Sequence, residues 1–408
     1  MPLSALQGVR VIEIATDIAG PYCAKMLADY GAEVIKVEPP VAGDPSRLRG
    51  PFPDDVSHPE KSGLFLHLNT NKKGVTLDLD SSRGQDLFKL LLQESHILVE
   101  SDRPGRMDSL GLGYDVLRAL RPELVMTSVT PFGQTGPDSQ YEFTELTVFA
   151  TGGGMHREGL PDREPLTYGG EIAQYYAGSA AAGVTMAACL SSWMEGQGRW
   201  IDISIQECMA GHPHQIGFRA PFTYAGITDT RKEPHAATAA GVGSAGAGTF
   251  KVADGYMSFL PLGARMWPNI TQMIERPDLV DDPRFRTPED RAEHDGELTP
   301  IIQGWFDSHT RGEVFTAAQE AGLPGAPVLN VDEIMRDEHF ADRGYFVDID
   351  HPDAGTLTYT GLPFRLSDAT LESPTHAPRL GQHNEEVFGG MLGLTTAEVS
   401  DLRAQGVI

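Results

Sequence analysis

The chain has 408 residues, a formal net charge of −25, 40% hydrophobic residues and 45 glycines. That size buries a large core and suits two domains, and the composition fits a soluble α/β enzyme scaffold. The surplus of acid argues against nucleic acid and anionic membrane surfaces as partners, and it opposes a polyanionic ligand unless a local basic patch overrides the field.

At the N-terminus, Gln7 and Arg10 interrupt the apolar run before a strand begins, and no apolar stretch reaches the length of a membrane span, so the cytoplasm is the expected location. The three cysteines, Cys23, Cys189 and Cys208, lack metal-type spacing and read as reduced core residues. Val9 to Ile14 reads as a buried strand, Gly20 to Tyr30 as a helix closed by Gly31, and Glu33 to Val37 as the next strand. This βαβ unit predicts a parallel sheet with right-handed crossovers. Its first turn lacks G-x-G-x-x-G, so no dinucleotide fingerprint is present.

Further along, Asn69-Thr70-Asn71-Lys72-Lys73 precedes a strand predicted over Gly74 to Leu79. Ser81 is placed to cap a helix running to Gln93, and Ile97 to Glu100 and Leu124 to Val129 complete a run of apolar strands. Around Gly169 to Ser204 three pieces follow one another. A Gly-Gly turn leads into Glu171-Ile172-Ala173-Gln174. A helix crowded with Gly178, Ala180, Ala181, Ala182, Gly183, Ala187 and Ala188 comes next. Gly196-Gln197-Gly198 then turns into a strand in which Ile201, Ile203 and Ile205 alternate with Asp202 and Ser204. Small residues cost helix propensity at the glycines and permit close approach of a neighbour. Glu171 and Gln174 fall at the helix start, where free N–H groups and the dipole favour negative charge. Beyond Glu207, the Gly241 to Gly248 run reads as a linker or lid. Asp254-Gly255 reads as a hairpin turn within Phe250 to Leu260, Pro268 to Phe306 as helical with proline breaks, and the stretch from Thr396 as a last amphipathic helix.

Several of these elements together resemble the family III CoA-transferases, the CaiB/BaiF group. They are G-P-x-x-x-x-x-L-A-D-x-G-A-x-V-I-K-V-E from Gly20, N-T-N-K-K from Asn69, R-P-G followed by L-G-L-G, F-G-Q-T-G-P from Phe132, and G-Q-G-R-W-I-D-I-S from Gly196. The resemblance runs from Leu6 to Ile408. It implies an α/β fold: a Rossmann-like large domain with a parallel sheet, a smaller α+β domain, and a ring-shaped chain in an interlocked dimer. The expected division is 1–215 for the N-terminal part of the large domain, 216–335 for the small domain with its Gly-rich linker, and 336–408 returning to the large domain.

The resemblance also implies CoA or an acyl-CoA as substrate, no bound cofactor and no metal. The positions matching the family's CoA contacts are Asp17, Ile18, Ala19, Lys72, Lys73, Ser101, Arg103 and Arg106. Asp102 adds a negative charge where the family usually carries Phe, and Pro39-Pro40 stand where some relatives carry Arg, so the CoA pocket is recognisable but eroded. In the family a catalytic Asp attacks the thioester, passes through a mixed anhydride and becomes an aspartyl-CoA thioester. Its pattern, G-x-x-x-x-D-x-x-x-G, places that Asp at Gln174, between Gly169 and Gly178. An amide cannot start this chemistry. Asp138 to Thr144 contains no His, so the acid–base pair of the racemase branch is also missing, and racemisation ranks last.

Three further readings follow from that substitution. The first is a non-catalytic subunit paired with a homologous Asp-bearing subunit. The second is a homodimeric transferase using another carboxylate, such as Glu171. The third is a CoA-ester binding protein without turnover.

Overall fold

The computed structural model describes residues 5–228, 230–231, 248–259, 266–367 and 373–408. The chain divides into two compact units: Met1–His156 with Leu166–Asp229 and Asp342–Ile408, and Arg157–Pro165 with Thr230–Ala341.

The first unit is built on six strands: β1 (Arg10–Glu13), β2 (Glu33–Glu38), β3 (Lys72–Thr76), β4 (Ile97–Glu100), β5 (Val125–Thr130) and β6 (Trp200–Ser204). They pair in the order β3-β2-β1-β4-β5-β6, and every pairing is parallel. Strands buried on both faces need apolar side chains on both, which is why they read as near-continuous hydrophobic runs. On one face Val11, Val99, Val125 and Val129 meet Cys23 and Leu27 of the first helix (Ala19–Asp29) and Ala177 and Ala181 of the long helix Ile172–Glu195. On the other, Ile12, Ile35, Leu98 and Met126 meet Leu87, Phe88 and Leu91 of helix Ser82–Gln93 and Val399 and Leu402 of the C-terminal helix. The fold expected from the βαβ pattern, a parallel sheet clad on both faces, is therefore present.

Local chemistry sets the element ends. The Ser81 side chain accepts the Gly84 N–H at 3.0 Å, as its placement before the helix predicts. Thr144 and Thr147 form a capping box that opens helix Glu145–Thr151. The small-residue helix packs its glycine against backbone: a Cβ on Gly178 would lie 2.5 Å from the Ala19 carbonyl oxygen. Gly178 thus serves the contact between the two helices that carry the candidate site, whereas Ala180, Gly183 and Ala187 are exposed.

The strand register differs from expectation at one place. β3 begins at Lys72, two residues before Gly74. Lys72 is therefore a strand residue whose alternation points it inward, and not part of a solvated entrance.

The edge of β3 is covered by the C-terminal part of the chain. Gly74 N–H donates to His383 Nδ1 at 3.0 Å, Thr76 N–H to Asn384 Oδ1 at 2.9 Å, and Asp78 N–H to the Val407 carbonyl at 2.8 Å. A hairpin absent from the sequence reading, β10 (Phe346–His351) and β11 (Gly355–Thr360), also belongs to this unit.

In the second unit, β7 (Gly248–Val252) and β8 (Gly255–Phe259) form the hairpin expected around Asp254-Gly255, and β9 (Gly325–Pro327) extends it antiparallel. Phe250, Phe259, Phe285 and Phe306 fill its core. The predicted lid or linker from Gly241 lies outside the described residues, apart from Gly248.

Candidate active site

In an open parallel sheet, ligands bind beyond the carboxyl ends of the strands where the strand order reverses. Here the order reverses between β1 and β4. A cavity of 390 Å³ opens at that place, lined by Thr16 and Asp17 after β1, Ser101 after β4, Val129 and Pro131 at the end of β5, and Gln174. Ala19, Gly20, Pro45, Arg49, Phe143 and Ile205 complete it.

Gln174 sits in the first turn of the long helix, after the N-cap residue Glu171, and is 4% exposed. Its surroundings contain a residue that the sequence reading missed. The Glu145 carboxylate accepts the Ala173 N–H at 2.7 Å and the Gln174 N–H at 3.3 Å. It occupies the positive end of the helix, where an anion is most stabilised. Burial raises the Glu145 carboxyl above its ordinary range, although these N–H groups oppose the shift. Glu145 follows directly on the segment searched for a histidine. Its only sequence signal was its position after the cap residue Thr144, which marks a helix start and not a partner for Gln174.

Arg49 is the second residue that sequence reading missed. Its guanidinium bridges the carboxylates of Asp17 and Glu171. Asp17 adopts φ 65°, a left-handed conformation that Asp tolerates better than most side chains, and its N–H donates to Asp44 Oδ1 at 3.3 Å. Burial pushes the Asp17 carboxyl up, and Arg49 acts against that shift. Asp44 in turn accepts the Ser46 N–H at 2.8 Å and meets the Lys36 ammonium at 2.7 Å. A buried charge network therefore fixes the loop after β1.

The predicted CoA-contact residues separate into two sets. Asp17, Ala19 and Ser101 line the cavity together with Gln174, and Ser101 Oγ accepts the Thr16 N–H at 2.9 Å. Ile18 is buried behind them as the N-cap residue of the first helix. None of the four predicted cations lines the cavity. Lys72 turns into the core: its side chain is 0% exposed, pairs with Glu13 at 2.7 Å and donates to Asn69 Oδ1 and the Pro21 carbonyl. Burial lowers its ammonium to about 8 despite the Glu13 charge. Lys73 is half-buried and pairs with Glu33 and Glu386, each at 2.7 Å. Arg103 pairs with Glu142 and Arg106 with Asp80 at the surface. Arg103 also borders a separate 190 Å³ hollow floored by Glu100, whose carboxyl burial pushes up to about 7. No group of three or more His, Cys, Asp or Glu suited to a metal ion occurs among the described residues.

The family model for CoA-transferase family III matches residues 6–384. The chain belongs to that family. This family III CoA-transferase is 33% identical to the succinyl-CoA–D-citramalate CoA-transferase of Chloroflexus aurantiacus, over 100% of the chain and 99% of that protein. It is 30% identical to the succinyl-CoA–L-malate CoA-transferase beta subunit of the same organism, covering 99% of the chain and 98% of the subunit. Among solved structures, a CAIB/BAIF family protein from Brucella suis superposes with a TM-score of 0.81 at 27% identity, covering 97% of the chain and 99% of that structure. The substrates of a family III CoA-transferase are CoA thioesters, and no separate cofactor is bound. Among the described residues, no helix is long and apolar enough to cross a membrane.

Proposed function

We propose that this family III CoA-transferase is the non-catalytic subunit of a heteromeric enzyme that moves CoA between carboxylic acids, paired with a homologous chain that carries the catalytic aspartate. One observation carries the reading: the side chain at the family's nucleophile position is the buried amide of Gln174. Attack on a thioester needs a charged carboxylate or an equivalent nucleophile, and an amide nitrogen at neutral pH is neither.

Electrostatics supports the reading. Asp17 lines the cavity beside Arg49, and the carboxylates of Glu171 and Glu145 stand next to it at the start of the long helix, three acids against the single guanidinium of Arg49. That surplus opposes an incoming acid or CoA phosphate. The cations that family resemblance would aim at CoA are each held by acids of this chain. A relative named as a beta subunit makes subunit pairing a known arrangement among similar proteins.

The donor to test first is succinyl-CoA, which the names of both Chloroflexus relatives carry, and the acceptor is benzylsuccinate, which the resemblance of the sequence to two-subunit members of the family suggests. The chain is purified alone and with its Asp-bearing homologue, and CoA transfer is assayed. Activity only in the pair, unchanged by Gln174→Ala and abolished by removing the partner's aspartate, is the expected result. Turnover by the isolated chain sinks the proposal.

A second reading, a homomeric transferase using another carboxylate, draws on Asp17. Glu171 was the substitute expected from sequence, and it is tied to Arg49 outside the cavity lining. Asp17 lines the cavity itself, with its carboxyl raised by burial. Turnover by the isolated chain that disappears in Asp17→Asn would favour this reading.

A further inference from the structure

A second hollow lies away from Gln174, within the same compact unit. Its 330 Å³ is enclosed by the later turns of the first helix, the residues before β3, the β10–β11 hairpin and the segment after it. That volume is at the small end of the roughly 300–1,000 Å³ typical of ligand pockets.

Its charge is unusual for this molecule. Lys25 and Asp29 line it and neutralise each other at 2.9 Å. Arg343 and Arg365 line it too, and neither has an acidic partner among the described residues. Among the described residues, the contact between them is an Arg365 guanidinium N–H donated to the Arg343 carbonyl. Two guanidinium groups without a carboxylate partner among the described residues thus face one hollow in a chain of net charge −25. In so acidic a protein, surface arginines meet carboxylates readily, as Arg103, Arg106 and Arg379 do.

The opposite wall is apolar, formed by Val347, Ile349 and Phe364. Tyr359 contributes to the floor. It is 8% exposed, and its hydroxyl is buried with no hydrogen-bond partner among the described residues. A buried hydroxyl without a partner is uncommon because it forgoes its hydrogen bond to water.

We propose that this hollow is a second ligand site, distinct from the Gln174 cavity, for a small organic anion with a hydrophobic body. The anionic group pairs with Arg343 and Arg365, guanidinium groups being matched in shape to a carboxylate. The body lies on Val347, Ile349 and Phe364, and an oxygen carried to the floor gives the Tyr359 hydroxyl its partner. The proposal does not depend on whether Gln174 is catalytically silent.

The test is calorimetric titration of the full chain at neutral pH and low salt with 3-phenylpropionate, its neutral amide, and inorganic phosphate. The acid is expected to bind saturably, with the amide and phosphate weaker by roughly tenfold or more. The double substitution Arg343→Glu and Arg365→Glu, at exposed positions and checked for an unchanged melting curve, should weaken the acid by at least about tenfold. Tyr359→Phe should weaken it by a smaller factor. Absence of saturable binding up to about 10 mM overturns the proposal. So does equal affinity for phosphate, or binding that survives the double charge reversal. Binding lost in Arg49→Ala instead places the acid in the Gln174 cavity and overturns it as well.

Discussion

Gln174 holds its place by a contact that does not require its side chain to be acidic. Its backbone N–H and that of Ala173 are satisfied by Glu145. Gln174→Ala is therefore expected to leave the fold and the activity of the paired enzyme within about twofold, measured by melting and by CoA-transfer rate. Glu100 allows a prediction of the opposite kind. Its carboxyl, 1% exposed, titrates near 7 in the folded chain and near 4.5 when free. The folded state holds that proton more tightly. Its contribution is complete below about 4.5 and is lost as pH rises to about 7, a change of about 3 kcal/mol. Urea denaturation at pH 5 and pH 7.5 should show the loss in the native chain, and Glu100→Gln should flatten it. At this scale the sequence was uneven as a guide. Gln174 was legible because a pattern of fixed spacing surrounds it. Arg49 was not: nothing local distinguishes an arginine that reaches Asp17 from Arg47 two residues earlier, which pairs with Glu38 in the core.

The two helices that carry the cavity approach each other closely at Gly178. With a Cβ at 2.5 Å from the Ala19 carbonyl oxygen, Gly178→Ala cannot be absorbed by a side-chain rotation. The gain in helix propensity, about 1 kcal/mol, is outweighed by the displacement of backbone, and a net loss of about 1–3 kcal/mol is expected by denaturant titration. Glu145→Ala removes the acceptor from the start of the long helix and should cost about 1 kcal/mol, read in the same way. Most of the elements were legible because hydrophobic period and cap residues agree, as at Ser81 and along β4. The exceptions have physical causes. Lys72 has the polarity of a loop residue, but Glu13 and Asn69 give its ammonium partners inside the core, and so the strand begins earlier than its apolar run. In β10 and β11, Asp348 and Asp350 receive hydrogen bonds from Thr358 and Thr356 across the pair, and this cross-strand chemistry leaves only a weak alternating pattern.

Across the whole molecule, the parallel sheet follows from a pattern that a single chain displays, whereas the charge balance of the cavity emerges only when β1, the Pro45–Leu48 turn region and the long helix converge. The sheet's outer edge is a comparable long-range product. β3 has a neighbour on one side only, and its other side is closed by His383, Asn384 and Val407. A chain ended after Pro374 should leave that edge unpaired, and size-exclusion chromatography should find it aggregated where the full chain is not. The same closure sets an order of events during synthesis. The ribosome delivers β3 some three hundred residues before the segment that seals it, so the nascent protein carries an open strand edge through most of its translation. Such a chain has reason to meet a chaperone early, and a slow stretch of message before codon 383 would prolong its exposure.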